Sequence, residues 1–274
     1  MSKPVRLISE PFIVTKEYRR FAEFCDACRR YRYIGICYGP PGVGKTLSAR
    51  HYTAWDELEP ILLRQRTSLI PPSTAMVVDC QSLLYTPTMT TTPKQLAEEL
   101  QGLRWDLTLA AERAEAPDDE LQRPLVAMPD PTELILVDEA DRLKMPALEQ
   151  LRDIYDRHGI SIILIGMPGL EKRLARYAQL YSRVGFVHHY RALSADEMRF
   201  LLSHKWAQLG LNSAPDEFTD MEAMAAVMRI TAGNFRLIQR LFTQIERILE
   251  VNALRTITKE VVEAAREQLV IGPI

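Results

Sequence analysis

Gly39-Pro40-Pro41-Gly42-Val43-Gly44-Lys45-Thr46 has the spacing G-x-x-x-x-G-K-[ST], the pattern of a loop that wraps phosphates. Its glycines let backbone N–H groups turn inward without a Cβ clash. The Lys45 ammonium then reaches the β- and γ-phosphates of a nucleoside triphosphate, and the Thr46 hydroxyl is a magnesium ligand. A second pair completes the chemistry. Asp138 and Glu139 end the apolar run Leu134-Ile135-Leu136-Val137. An aspartate at the carboxyl end of a buried strand holds magnesium opposite Thr46. The glutamate beside it is placed to deprotonate an attacking water, which suits hydrolysis rather than transfer to a small acceptor.

These groups need a sheet and a helix to hold them. Tyr33-Ile34-Gly35-Ile36-Cys37-Tyr38 reads as a strand entering the loop, and the stretch from Leu47 to Tyr52 as the helix leaving it. Further strands are expected at 75–80, 134–138, 160–165 and 186–190, separated by helical patterns. Such alternation predicts a parallel five-stranded sheet flanked by helices. Thr92-Pro93-Lys94-Gln95 is a helix start, with a capping threonine, proline at the first position and glutamine at the third. Pro146 opens another helix, with an apolar stripe of Leu148, Leu151, Ile154 and Tyr155 and a closing Gly159. From the capping box Ser194-Ala195-Asp196-Glu197 onward the pattern is helical, with stretches near 219–231, 234–252 and 258–269. The expected division is an N-terminal linker and helix over 1–32, an α/β core over 33–193 and an all-helical lid over 194–274. The stretch 114–131, with four prolines and five acidic residues, reads as a loop or insertion.

The 274 residues are enough for one α/β domain plus a smaller attachment, and the composition, 47% hydrophobic and 26% charged, is that of a globular chain. No apolar stretch nears the roughly 20 residues of a membrane span, and the N-terminus carries no signal-peptide core, so a cytoplasmic location with no membrane partner is expected. A net charge of −2 excludes a polycation, so nucleic-acid contact must come from local patches. Cys25 and Cys28 form a C-x-x-C pair, yet no second pair follows at zinc-ligand spacing. With Tyr18, Phe21 and Ala22 they lie at helical spacing, as buried thiols.

Phosphate loop, Asp-Glu strand, a strand ending in Gly166-Met167-Pro168 and a helical segment with Gly233-Asn234-Phe235-Arg236 together resemble the AAA+ ATPases, over about residues 12–270. Three strings, Asp138 to Lys144, Ile154 to Ile160 and Leu164 to Leu174, are similar to bacterial transposition regulators of the TniB, TnsC and MuB kind. The resemblance implies a P-loop AAA+ fold with a small C-terminal helical lid, and ATP with Mg²⁺ bound by residues 39–46 and Leu47. It implies ATP hydrolysis, and homo-oligomers, as rings or helical filaments, on double-stranded DNA of any sequence. A transposase or target-selection protein would be the partner. It also assigns Arg183, just before the fifth strand, as the finger that reaches a neighbouring subunit's γ-phosphate, with Arg173 and Arg176 as substitutes. Arg236 becomes the lid residue that senses nucleotide, and Thr92 and Lys94, at a helix N-terminus, the phosphate contacts to DNA. One departure stands out. The family's fourth strand usually ends in a polar residue that holds the lytic water, and Gly166-Met167 cannot do that. Either another residue substitutes or hydrolysis is slow, as suits a switch whose ATP state must persist. A helicase loader or another nucleotide-gated adaptor of the same fold is the alternative, and a P-loop kinase a more distant one.

Overall fold

The computed structural model describes residues 12–65, 77, 79–115, 129–208 and 218–269. The first helix, α1 (Lys16–Tyr31), starts where the Thr15 hydroxyl accepts the Tyr18 amide, and ends at Arg32 in a left-handed conformation. It buries Phe21, Phe24, Cys25 and Cys28 on one face. The C-x-x-C pair is therefore core. Burial pushes the Cys25 thiol well up and the Cys28 thiol up to about 12, so neither is a thiolate at neutral pH.

Five parallel strands follow: β1 (Ile34–Tyr38), β2 (Ser82–Tyr85), β3 (Leu134–Val137), β4 (Ser161–Gly166) and β5 (Val184–His189), in the order β2-β3-β4-β1-β5. Alternate residues feed two apolar clusters. Cys37, Leu134, Leu136, Ile163 and Ile165 face α1, α2 (Lys45–Tyr52) and α3 (Trp55–Gln65). Ile34, Ile36, Ile135, Val137, Ile162 and Leu164 face α5 (Met145–His158), α6 (Leu170–Leu174) and α7 (Ala178–Tyr181). Burial on both faces explains why the central strands read as continuous apolar runs. The long helix α4 (Pro93–Glu115) closes the β2 side. Its early residues Leu96 and Leu100 join one cluster, and its later residues Leu107, Ala110 and Ala111 join the other.

One expected strand is misplaced. Over 75–80 the sequence predicts β structure; residues 75, 76 and 78 lie outside the described residues, Val77 is helical, and the strand forms at Ser82–Tyr85. Its four residues pair in register with Leu134 to Val137, and tertiary pairing outweighs local β propensity. The other four strands lie where expected, within two residues at each end. Most of the proline-rich stretch 114–131 lies outside the described residues.

After β5 the chain is helical: α8 (Ala195–Gln208), α9 (Phe218–Thr231), α10 (Phe235–Val251) and α11 (Lys259–Glu267). These helices share a separate apolar cluster around Leu201, Trp206, Ile238, Leu241, Phe242, Ile245 and Val262. The capping box forms as expected, with Glu197 Oε2 accepting from the Ser194 amide and hydroxyl. Among the described residues no helix is long and apolar enough to cross a membrane.

Candidate functional site

All five strands run the same way, so the carboxyl ends of β1, β3 and β4 open on one rim. Such a rim is where open α/β sheets bind ligands. β1 delivers the loop Gly39–Gly44 there, and the loop turns into α2 through Gly42 (φ 78°) and Gly44 (φ 109°), conformations that favour glycine. Lys45 Nζ donates to the carbonyls of Gly39 at 2.6 Å and Pro40 at 2.8 Å, which folds the ammonium over its own loop. Burial pushes its pKa down, and the Asp138 and Asp141 carboxylates oppose that shift.

Thr46 Oγ1 donates to Asp138 Oδ2 at 2.7 Å, although the two residues are 92 apart in sequence. Asp138 is 3% exposed, and its Oδ1 accepts the Glu139 amide at 2.9 Å. A hydroxyl and a buried carboxylate in contact, all oxygen donors, fit a hard divalent cation such as Mg²⁺ that completes its shell with phosphate oxygens and water. Glu139 sits in the left-handed region (φ 52°) and projects from the end of β3, with Oε2 2.6 Å from an Arg142 guanidinium nitrogen.

The helical segment closes the rim. The Arg236 amide donates to the Gly42 carbonyl at 2.9 Å, and Asn234 Nδ2 donates to the Pro41 carbonyl at 2.9 Å. Asn234 also caps α10 by accepting the Leu237 amide. A cavity of about 520 Å³ results, lined by the phosphate loop, Thr46, Leu47, Asp138, Glu139, Asp141, Met167 and Arg236. A second cavity of about 160 Å³ adjoins it across Gly44 and Leu47. Apolar and aromatic groups line this one, among them Phe12, Val43, Tyr190, Leu201 and Phe235, and Phe12 stacks on His51 with centroids 3.8 Å apart. A cleft for phosphates beside a largely apolar slot for a heteroaromatic base is the arrangement a nucleotide needs. Motif reading missed the slot, because its walls come from four separated segments.

This geometry agrees with what the chain is similar to. The AAA domain family matches residues 28–174. The chain belongs to the AAA family. This AAA protein is 47% identical over 268 residues to a potential ATP-binding protein of Staphylococcus aureus, covering 96% of this chain and 98% of the relative. It is 31% identical over 173 residues to the ATP-dependent target DNA activator B of Escherichia phage Mu, covering 60% of this chain and 45% of that protein. In fold it is similar to the Thermotoga maritima RuvB Holliday junction branch migration motor, with a TM-score of 0.58 at 17% identity, covering 93% of this chain and 70% of that one. The Aeropyrum pernix ORC2 protein gives 0.58 at 13% identity, covering 94% and 69%. The AAA protein thus has the P-loop AAA fold and the ATP-binding, nucleotide-hydrolysing character of its family.

Two groups of expected site residues lie elsewhere. Arg183 stands before β5, at the opposite end of the sheet, where its carbonyl accepts the Ile34 amide at 3.0 Å. Its guanidinium makes two 3.0 Å bonds to Asp156. Arg173 donates to the carbonyls of Ala140 and Asp141 of its own subunit at 3.0 Å each. Thr92 Oγ1 accepts the Gln95 amide at the start of α4, and Lys94 projects into solvent 3.8 Å from Glu98.

Proposed function

We propose that this AAA protein is an ATP-dependent DNA-binding ATPase that assembles on target DNA and regulates or recruits a transposase. The observation that carries the ATPase half is the Thr46–Asp138 contact beside Glu139, inside a cleft capped by Arg236. The likeness to phage Mu's ATP-dependent target DNA activator B supports the DNA half.

In this reading the triphosphate draws Lys45 off the Gly39 and Pro40 carbonyls and onto the β- and γ-phosphates. The loop amides of residues 42–46 cradle the phosphates, and the base enters the slot between Phe12 and Phe235. Thr46 and Asp138 hold a magnesium ion, which when bound neutralises charge on the phosphate oxygens. Glu139 takes a proton from water as the water oxygen bonds to the γ-phosphorus. The bond from that phosphorus to the bridging oxygen breaks, and ADP leaves with the electron pair. Arg236 registers the γ-phosphate from the lid. Arg183, at the far end of its own sheet, serves the cleft of the next subunit in a ring or filament. The repeated α4 N-termini, with Thr92 and Lys94, then meet DNA phosphates without reading bases.

Electron microscopy with ATP or ADP, with and without duplex DNA, tests this reading. Rings or filaments on DNA in the ATP state are expected. Monomers in every condition would remove the assembly model.

A further inference from the structure

β4 ends at Gly166, between the strand that feeds the phosphate loop and the strand that carries Asp138. No side chain leaves the sheet at that point, yet the space is filled. A Cβ built on Gly166 would collide with Asp141 Oδ2 and come within 2.9 Å of Asp141 Cγ. A carboxylate from the turn after β3 therefore occupies the volume that a residue-166 side chain would take. The backbone fixes it there. The Met167 amide donates to Asp141 Oδ2 at 2.6 Å, and Arg173 clamps the carbonyls of Ala140 and Asp141. Among the described residues nothing donates to Asp141 Oδ1, and Asp141 lines the same cleft as Thr46, Asp138 and Glu139.

We propose that Asp141 is the water-positioning residue of this site, and that Gly166 is glycine so that the Asp141 carboxylate can stand there. The inference rests on the hydrolytic reading above. A water held between Glu139 and Asp141 donates one hydrogen to each carboxylate, which turns an oxygen lone pair toward the γ-phosphorus. Glu139 remains the base that takes the proton. Asp141 keeps the nucleophile in line and itself gains no proton.

The test is a double-mutant cycle read as kcat and KM, with ATP affinity and melting temperature measured on each variant. Asp141→Ala is expected to lower kcat by roughly 10²-fold, the size of effect that a misplaced reacting group produces, with KM and ATP affinity unchanged. Gly166→Ala, by driving the carboxylate aside, should give the same loss, and the two together no further loss. Asp141→Ala with Gly166→Asn places a polar group back into the vacated volume. Beside Asp141 the nearest atom to a residue-166 Cβ is the rotatable end of Leu170, and kcat is expected to recover by at least about ten-fold, one hydrogen bond's worth. Strictly additive losses, a kcat unchanged or raised in Asp141→Ala, or loss of ATP binding in that variant would overturn the proposal. Glu139→Gln, run in parallel, separates the two ideas. If it hydrolyses ATP normally, the hydrolytic reading itself falls. If it is inactive while Asp141→Ala is normal, only the role of Asp141 falls.

Discussion

Arg142 bridges Glu139 to the loop before α4: one guanidinium nitrogen lies 2.6 Å from Glu139 Oε2, and the other donates to the Pro87 carbonyl at 2.9 Å. The group proposed as the base is thus tied to the segment that leads to Thr92 and Lys94. With Oε2 engaged by Arg142, Glu139 has one acceptor oxygen fewer for a water in the cleft. The pair is half exposed and contributes about 0.2–1 kcal/mol. Arg142→Ala should therefore raise DNA-independent ATP turnover by up to about five-fold and weaken any stimulation by DNA. A steady-state assay with and without duplex DNA checks this. A drop in turnover would show instead that Arg142 supports Glu139.

Glu139→Gln should keep ATP and magnesium binding and lower hydrolysis by about 10²–10⁴-fold, the span of a lost general base. Lys45→Ala should instead weaken nucleotide binding itself, since no other lysine or arginine of the phosphate loop reaches the cleft. Titration with a fluorescent ATP analogue beside phosphate release distinguishes the two outcomes.

Arg183 can serve a neighbour only by leaving Asp156, whose carboxyl it holds below the usual carboxylate range. Arg183→Ala should bind ATP almost normally and fail to hydrolyse it. Mixed with Lys45→Ala, it should regain activity, because a hybrid interface contains one intact site. No recovery at any ratio, with assembly confirmed, would favour Arg173, Arg176 or a site acting within one subunit.

A buried carboxylate cluster makes stability depend on pH. Glu17, 3% exposed, accepts the Arg191 amide at 3.1 Å and lies 3.2 Å from His188 Nε2, while its own amide donates to Glu197 of the helical segment. Burial raises the Glu17 pKa, but the nearby His188 imidazole and the Arg191 amide outweigh it, and the net shift is downward. A lowered folded pKa means stability that is present above the ordinary carboxylate value and lost as pH falls through the folded one. Thermal melts should therefore drop below about pH 4.5. Glu17→Gln should cost about 1.5–3 kcal/mol at neutral pH and flatten that acid limb. An unchanged acid limb would show that other groups set it.

The parts legible in the sequence were those whose chemistry is contiguous. The phosphate loop, the Leu134–Glu139 run and the Ser194–Glu197 capping box each carry their own local physics, and each forms where expected. What the sequence concealed depends on distant partners. Ser82–Tyr85 becomes a strand because Leu134–Val137 lies beside it, whereas Val77 is helical. The Phe12–His51 stack and the Asp141 carboxylate against Gly166 join segments that no spacing rule connects. Gly166 looked like a missing side chain, and the fold supplies one from another turn.

Lys94 tests the coupling between nucleotide and DNA. Its ammonium is exposed and only loosely paired with Glu98, at the N-terminus of a helix whose amides favour anions. One such contact is weak, but an ATP-joined oligomer repeats it along a phosphate backbone, so the salt-sensitive contributions add. ATP or a slowly hydrolysed analogue should promote binding to arbitrary duplex DNA, and ADP should not. Lys94→Ala should weaken that binding alike on all sequences, reduce its salt dependence and leave ATP affinity unchanged. Fluorescence anisotropy across a salt series, on two unrelated duplexes, reads all three. Tight binding in the ADP state, or a sequence preference in the monomer, would show that DNA is held by another surface.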